Sequence, residues 1–274
     1  MIVPSKRKEA LNTKRRRGRK KIVLLLVEGQ SDVEALAEPL ANTIYAFDPN
    51  IEFYPLYLGD KTSSSSGSSE RGDVTSKNGV DPKTIEHVID KLYLQPFFQC
   101  ESLYPKDIAR IVHIVDTDGA FIPHNRVLPA DVGSVSHEYR EDAIVTPNVF
   151  GIIERNERKA ANLIHLATLS AIKTGYDRKK RAMPYSVFFF SSNLDHFLHG
   201  NANLDKYKKV LRAKEFADNC SRTPSLFFDT VQSDTAFIDC GYSESWSQIR
   251  EGCNSLQRHT NIGVLINELQ QYIE

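Results

Sequence analysis

Two stretches of the sequence decide the fold: Lys20–Asp32, which reads KKIVLLLVEGQSD, and Ala109–Gly119, which reads ARIVHIVDTDG. Each contains an almost continuous apolar run, and each run ends in a carboxylate that is followed within three residues by glycine. An apolar run without alternation is typical of a strand that is buried on both faces of a parallel sheet. The two stretches therefore predict two central parallel strands with acidic carboxyl ends.

Further strands and helices are predicted on either side of these two strands. Apolar residues at helical spacing predict helices over 32–44 and 82–98, so strand and helix alternate through the first 120 residues. Ser31 is expected to cap the first helix, with Glu34 completing a capping box. The other predicted strands cover 51–58 and 185–190, and the other predicted helices cover 155–174, 205–219, 245–256 and 261–273. This alternation predicts an α/β fold with a parallel sheet flanked by helices.

The chain divides into regions of different composition. Residues 61–78 are polar and Ser-rich, which is typical of a loop, and 121–149 contain three prolines and are expected to be irregular. The predicted regions are a basic N-terminal arm (1–19), an α/β core (20–120), an insertion with a helix (121–184), and a fourth strand with a helical C-terminal region (185–274).

A formal net charge of zero conceals an uneven distribution. Residues 1–21 hold ten Lys or Arg and one Glu, which leaves 25 basic and 34 acidic residues in the remainder. A basic arm on an acidic body suits a phosphate backbone or an acidic partner, and a solvated tail is the alternative interpretation. The candidate nucleic-acid-binding residues are Lys14, Arg15, Arg16, Arg17, Arg19 and Lys20 in the arm, and Lys179, Lys180 and Arg181 in the insertion.

Composition argues against several classes of protein. No apolar run approaches the roughly 20 residues that span a bilayer, and the basic start is not followed by a secretory apolar segment. The four cysteines are scattered and form no C-x-x-C pair, so neither a zinc cluster nor a disulfide framework is expected. We therefore expect a cytoplasmic chain with no membrane partner.

The acidic residues at the strand ends are the candidate site. Because the carboxyl ends of parallel strands share one edge, Glu28, Asp116 and Asp118 are expected to meet there, with Asp32 one helical turn after Glu28. Clustered carboxylates repel one another and raise one another's pKa, and a divalent cation removes that conflict. Oxygen ligands without Cys or His favour Mg²⁺ or Mn²⁺ over zinc.

Asp195 is a fifth candidate ligand. It follows the predicted strand at 185–190, so that its carboxylate could reach the same edge of the sheet. The alternative is an acidic residue in the first turn of a helix that Asn193 caps. His196 and His199 follow Asp195 closely. Because the sequence near them offers no third ligand, they are not expected to form a zinc site.

The residues described above resemble the Toprim pattern, an apolar strand ending in V-E-G-x-S-D and a later strand ending in D-x-D-G. Toprim domains occur in topoisomerases, primases, the ribonuclease that matures 5S rRNA and OLD-family nucleases, and the E-G-x-S-D form is most similar to the OLD branch. The resemblance covers about residues 20–120, with 186–195 supplying a fourth strand. It implies a Toprim-like core in which Glu28 is a general acid or base and metal contact, and Asp32, Asp116 and Asp118 hold Mg²⁺ or Mn²⁺.

The chain departs from full OLD proteins because it contains no G-x-x-x-x-G-K-[ST] signature of an ATPase. It is similar instead to the stand-alone Toprim effectors of two-gene phage-defence systems, such as PARIS and abortive-infection pairs. That resemblance implies a metal-dependent endonuclease that cleaves DNA or RNA, including tRNA, under the control of a separate ABC/SMC-like ATPase. Whether the chain forms a homo-oligomer is left open.

Two alternatives remain at this point. A haloacid-dehalogenase-like phosphatase would use Asp116 as nucleophile, Asp118 as acid or base and Ser191 as phosphate ligand. It leaves the motif at 28–32 unexplained, and its last acidic motif is poor, since only Asp229 and Asp234 are available. The other alternative is a non-catalytic Toprim-fold subunit that docks an ATPase. Retention of the whole acidic cluster argues against it, because such a cluster is costly to keep without a cation.

Overall fold

The computed structural model describes residues 21–57, 73–133, 136–176, 180–233 and 240–271. The predicted basic arm, Lys20 and Lys179 lie outside these residues, as does most of the Ser-rich stretch. The strands are β1 Lys21–Val27, β2 Ile51–Tyr57, β3 Ile108–Asp116, β4 Val127–Pro129, β5 Glu138–Tyr139, β6 Ile144–Thr146, β7 Ala171–Lys173 and β8 Ala182–Phe190. The helices are α1 Gln30–Phe47, α2 Ile85–Ile89, α3 Gln95–Glu101, α4 Val149–Thr168, α5 Leu194–His199, α6 Lys206–Arg222, α7 Ser225–Val231, α8 Tyr242–Gln248 and α9 Ile262–Gln271.

A mixed sheet of five strands lies at the centre of the α/β fold, in the order β2-β1-β3-β8-β7. The first four of these strands are parallel to one another, whereas β7 pairs antiparallel with β8. The expectation of an α/β fold with a mostly parallel sheet is confirmed. The expectation of a purely parallel sheet is wrong, because 171–173, expected to end a helix, instead form the edge strand β7.

The apolar run of β1 is continuous because both faces of the sheet are covered. Its residues alternate between two hydrophobic cores, as successive side chains of a strand must. Ile22, Leu24 and Leu26 pack with α2, α3 and α4 on one face, and Val23, Leu25 and Val27 pack with α1, α6, α7 and α9 on the other. The apolar stretches therefore report a strand between two helical layers.

Proline is compatible with β2 because of the position of that strand. Pro55 cannot donate a ladder hydrogen bond, and it is tolerated here because, within the described part of the chain, β2 is an edge strand whose pairing partner is β1. The predicted strand at 51–58 is thus confirmed.

Several predicted helices differ in their bounds. The helix expected over 82–98 is divided into α2 and α3 by a π-helical turn at Asp90–Leu94. The helix expected over 155–174 is α4, which begins at Val149 because Asn148 caps it, its Oδ1 accepting the Gly151 N–H at 3.0 Å.

The cap of α1 also differs from the prediction. Gly29, not Ser31, is the capping residue, and the carboxylate of Asp32 accepts the Gly29 N–H at 2.8 Å. Glycine has no side chain to complete a capping box, so only the bond from the Gly29 N–H to Asp32 is made, and it holds Asp32 close to the end of β1.

The stretch expected to be irregular contains a second, small sheet of order β4-β6-β5. It packs on its own apolar cluster, formed by Ile122, Val127, Ile144 and Leu256. Strands of two or three residues carry too little periodicity to be recognised from sequence. In the described part of the chain, no helix is both long and apolar enough to cross a membrane.

Candidate metal centre

The carboxyl ends of β1 and β3 bring the predicted acidic residues together. The two strands are neighbours and parallel, so Glu28 and Asp116 come to the same edge of the sheet. The Asp116 backbone N–H donates to Glu28 Oε1 at 3.2 Å, although the two residues are 88 positions apart. Glu28 and Asp116 therefore lie side by side at this edge, as predicted, and the contact between them runs through the Asp116 backbone.

A strained turn places Asp118 beside them. Asp118 has a φ of 49°, in the left-handed region that non-glycine residues seldom adopt. The turn is held because the Asp118 N–H donates to the Ser192 carbonyl at 2.7 Å and the Thr117 hydroxyl donates to the Ser255 carbonyl at 2.8 Å. Gly119 follows at φ 68°, and a Cβ there would lie 2.6 Å from Leu256 Cδ2, so glycine is required.

Two residues that the sequence analysis did not select complete the centre. Lys159, on α4, places its Nζ 2.5 Å from Asp118 Oδ2, 2.8 Å from Asp73 Oδ2 and 3.4 Å from Glu28 Oε1. Its side chain has no exposed surface. Glu28, Asp73 and Asp118 each offer an oxygen within 4.8 Å of the other two, a spacing that a metal ion could bridge. We call these three carboxylates the triad.

A sequence signal for Lys159 was available. The residue lies on the buried stripe of α4, in register with Asn156, Asn162, Leu163 and Leu166. A lysine on the buried face of a helix requires an acidic partner, because an unpaired buried charge is strongly unfavourable. Asp73 carried no such signal, since it lies within the polar stretch 61–78 that was predicted to be a loop.

Burial and charge perturb the triad in opposite directions. Burial raises the pKa of Glu28 well above its ordinary value, and the nearby charge of Asp73 raises it further. Burial would also raise the pKa of Asp118, but Lys159 and Arg155 lower it to about 2. Glu28 is thus suited to exchanging a proton, whereas Asp118 stays ionised.

Three further carboxylates form a second group at the same edge, which we call the outer group: Asp32, Asp116 and Asp195. Asp116 Oδ1 accepts the Leu194 N–H at 3.0 Å, and Asp195 Oδ2 lies 2.9 Å from Lys209 Nζ. Burial raises the pKa of Asp116 well above its ordinary value, and the charge of Asp32 adds to this. The outer group is therefore electrostatically linked to the triad.

Asp195 takes the helix position that the alternative interpretation gave it, and its role as a metal ligand stays a prediction. Asn193 caps α5, with its Oδ1 accepting the His196 N–H at 2.9 Å, and Asp195 stands in the first turn of that helix. Its carboxylate is nevertheless buried and faces Lys209 at the edge of the acidic cluster.

Among the described residues, the six carboxylates of the triad and outer group are accompanied by three cations, Arg155, Lys159 and Lys209. With every group ionised, negative charge exceeds positive charge by three. Such an excess, presented entirely by oxygen ligands, fits Mg²⁺ or Mn²⁺.

The small sheet supplies a wall beside Asp118. The Tyr139 hydroxyl donates to Asp118 Oδ1 at 3.1 Å and accepts from Arg155 Nη1 at 3.1 Å, while Arg155 Nη2 donates to the Asp118 carbonyl at 2.9 Å. Asn203, in the segment before α6, binds the backbone of Tyr139: its Oδ1 accepts the Tyr139 N–H at 2.8 Å, and its Nδ2 donates to the Tyr139 carbonyl at 2.8 Å. The sequence analysis selected neither Tyr139 nor Arg155.

The basic residues described for the insertion lie far from the carboxylates. Lys180 and Arg181 are exposed and precede β8, whereas Asp195 follows its other end. The nine residues of β8, at about 3.3 Å each, separate them by about 30 Å. Lys21 begins β1 at that same far edge, and Lys14, Arg15, Arg16, Arg17, Arg19 and Lys20 lie outside the described residues.

Comparisons of this chain with protein-family models, with curated proteins and with solved structures found no match. The resemblance to Toprim proteins therefore rests on the motif residues, and the α/β fold with its mostly parallel sheet is compatible with it. The arrangement itself is a cluster of carboxylates around an internal lysine, at the carboxyl edge of an α/β sheet.

Proposed function

We propose that this chain is a metal-dependent nuclease with a Toprim-like core. The observation that carries the proposal is the convergence of Glu28, Asp116 and Asp118 from two adjacent parallel strands at one edge of the sheet. The residue types, their order and their strand positions all follow the Toprim pattern. The carboxyl edge is also where α/β folds place their sites.

The residues that would hold Mg²⁺ or Mn²⁺ are the triad Glu28, Asp73 and Asp118, with Asp116, Asp32 and Asp195 of the outer group beside them. Their carboxylate oxygens and the excess of negative charge fit a hard divalent cation. When bound, such a cation stabilises the charge that develops on a scissile phosphate and activates water.

The chain's own residues have separable roles in this proposal. Glu28, whose pKa is raised by burial, accepts or donates the proton at its carboxylate. Asp118 stays ionised as a ligand, and Tyr139 and Arg155 hold its orientation. Lys209, whose side chain is 32 % exposed, presents positive charge to solvent where a phosphate would approach.

The substrate in this proposal is DNA or RNA, including tRNA, and the basic arm would bind the phosphate backbone in a salt-dependent manner. By its resemblance to two-gene defence systems, we propose an anti-phage, abortive-infection role. A separate ABC/SMC-like ATPase would restrain the nuclease, which would act in the cytoplasm.

A cleavage assay tests the nuclease directly. Plasmid, linear DNA, total RNA and tRNA are incubated with the wild type in Mg²⁺, Mn²⁺ or EDTA, beside Asp118→Asn. We expect metal-dependent cleavage that is lost in Asp118→Asn and retained in the matched control Asp48→Asn, which alters an aspartate at the far edge of the sheet. Full activity in Asp118→Asn would contradict the assignment.

The phosphatase alternative has less support. Its phosphate ligand, Ser191, has no exposed surface, and its hydroxyl donates to the Asn254 carbonyl at 2.7 Å. Asp229 lies exposed on α7, and Asp234 is outside the described residues. Hydrolysis of p-nitrophenyl phosphate without nucleic-acid cleavage would favour a phosphatase. A chain that cleaves neither nucleic acid nor p-nitrophenyl phosphate and does not bind Mn²⁺ would favour a non-catalytic subunit.

A further inference from the structure

The position of the Lys159 ammonium relative to the triad is the unusual feature of the centre. Nζ lies 2.5–3.4 Å from one oxygen of each triad member, and those residues are also the ones whose oxygens are close enough to share a cation. The ammonium is therefore placed as a bound cation would be, and no part of this side chain reaches solvent.

We infer that Lys159 and a divalent cation compete for the triad, so that metal loading requires the lysine side chain to leave it. The inference rests on the proposed function, because it takes the triad to be part of the metal centre. It adds that this chain carries an internal cation that sets how tightly the centre binds metal.

Competition follows from distance and charge. A Mg²⁺ ion binds oxygen at about 2.1 Å, so an ion held by the oxygens that Nζ contacts would lie within van der Waals distance of the ammonium. Two positive charges that close repel each other, and the partly buried carboxylates around them leave little water to screen the repulsion. The ammonium also occupies lone pairs that the ion would need.

The helix that carries Lys159 is fixed, so the displacement falls on the side chain. Three residues before it, Asn156 Nδ2 donates to the Gly119 carbonyl at 3.1 Å. Three residues after it, Asn162 Nδ2 donates to the carbonyls of Thr75 at 2.8 Å and Val80 at 3.1 Å. Because both asparagines are buried, α4 is anchored on both sides, and rotation of the lysine chain is the available route.

The decisive experiment measures Mn²⁺ affinity in the full chain, by the paramagnetic resonance of free Mn²⁺ and by calorimetry. Lys159→Met keeps an unbranched side chain that is one atom shorter and removes its charge, and Lys21→Met makes the same change at the far edge of the sheet. We expect Lys159→Met to bind Mn²⁺ at least about tenfold more tightly than the wild type, since the competing charge is gone. Lys21→Met should bind as the wild type does.

Unchanged or weaker Mn²⁺ binding by Lys159→Met, with binding by the wild type intact, would overturn the competition and leave the metal centre standing. Absence of Mn²⁺ binding in both proteins would overturn the proposed metal centre and the competition with it. The two failures are thus distinguishable without any activity measurement.

A second measurement covers the case in which Lys159→Met does not fold without metal. In the wild type, labelled with ¹³C at lysine Cε, the Lys159 signal is assigned by its loss in Lys159→Arg and followed during a Mg²⁺ titration. We expect it to shift as Mg²⁺ saturates, while the Lys21 signal stays in place. A Lys159 signal that does not move at saturating Mg²⁺ would refute the displacement.

Discussion

The variant Asp32→Asn removes one negative charge from the acidic cluster and keeps the size of the side chain. Its free energy of unfolding therefore measures what that charge costs the folded chain. Burial, with a contribution from the charge of Asp195, raises the pKa of Asp32 from 3.8 to about 6. The folded chain therefore binds the proton more tightly than the unfolded chain, so the stability that Asp32 contributes when protonated is lost as the pH rises through 6. Asparagine cannot ionise, and its Oδ1 can still accept the Gly29 N–H that caps α1.

The size of the effect follows from the same pKa. A rise from 3.8 to about 6 corresponds to about 3 kcal/mol at pH 8. Because Asp32 is partly exposed, solvent screening reduces this to about 1–2 kcal/mol. In EDTA at pH 8, we expect the free energy of unfolding of Asp32→Asn to exceed that of the wild type by this amount.

Urea denaturation at pH 8, 6 and 4 measures the difference. The advantage of Asp32→Asn should shrink below pH 6 and nearly vanish at pH 4, where the aspartate is protonated in the folded chain and half protonated in the unfolded one. Asp48→Asn is the matched control: hydrogen bonds from Asn50 and Lys21 lower the pKa of Asp48, so its replacement should give no stabilisation at pH 8. An advantage of Asp32→Asn that is absent at pH 8, or equal at all three pH values, would refute the electrostatic reasoning.

Three other changes test the wall beside the centre and the two sets of basic residues. Tyr139→Phe removes a hydroxyl that bonds two charged groups, and should lower the free energy of unfolding by about 1–2 kcal/mol in urea denaturation; a loss under about 0.5 kcal/mol would mean that the hydroxyl stabilises little. Removal of residues 1–19 should reduce the slope of log binding constant against log salt concentration by about 0.9 for each phosphate contact that is lost. The double variant Lys180→Ala with Arg181→Ala should change the cleavage of a short oligonucleotide by less than about twofold. These two side chains lie about 30 Å from the acidic residues, which exceeds the screening length. An unchanged slope would contradict the binding role of the basic arm. A tenfold loss of cleavage would contradict the conclusion that Lys180 and Arg181 lie too far from the centre to affect it.

The position of Asp32 could be predicted from the local sequence, whereas the cap of α1 could not. The sequence placed Asp32 one turn after Glu28, and the structure agrees because helical geometry depends only on neighbouring residues. The cap itself was assigned to Ser31, since the motif fits two registers. Only the folded backbone shows that the Gly29 N–H faces Asp32.

The same division applies to the sheet. Apolar runs identified β1 and β3, because a strand that is buried on both faces has an uninterrupted run of apolar residues. The edge strand β7 and the small sheet left none, because two or three residues cannot show a period. Their placement depends on β8 and on the cluster around Ile144, which are distant in sequence.

What the sequence determined by itself is the set of acidic strand ends and the edge of the sheet that they share. That much follows from two local facts, the direction of parallel strands and the run of apolar residues that precedes each carboxylate. What only the tertiary structure decided is how their charge is balanced, because Lys159 meets Glu28 across 131 positions and Asp118 across 41. Periodicity records that a side chain is buried, but the partner that makes burial of a charge tolerable is chosen by the fold.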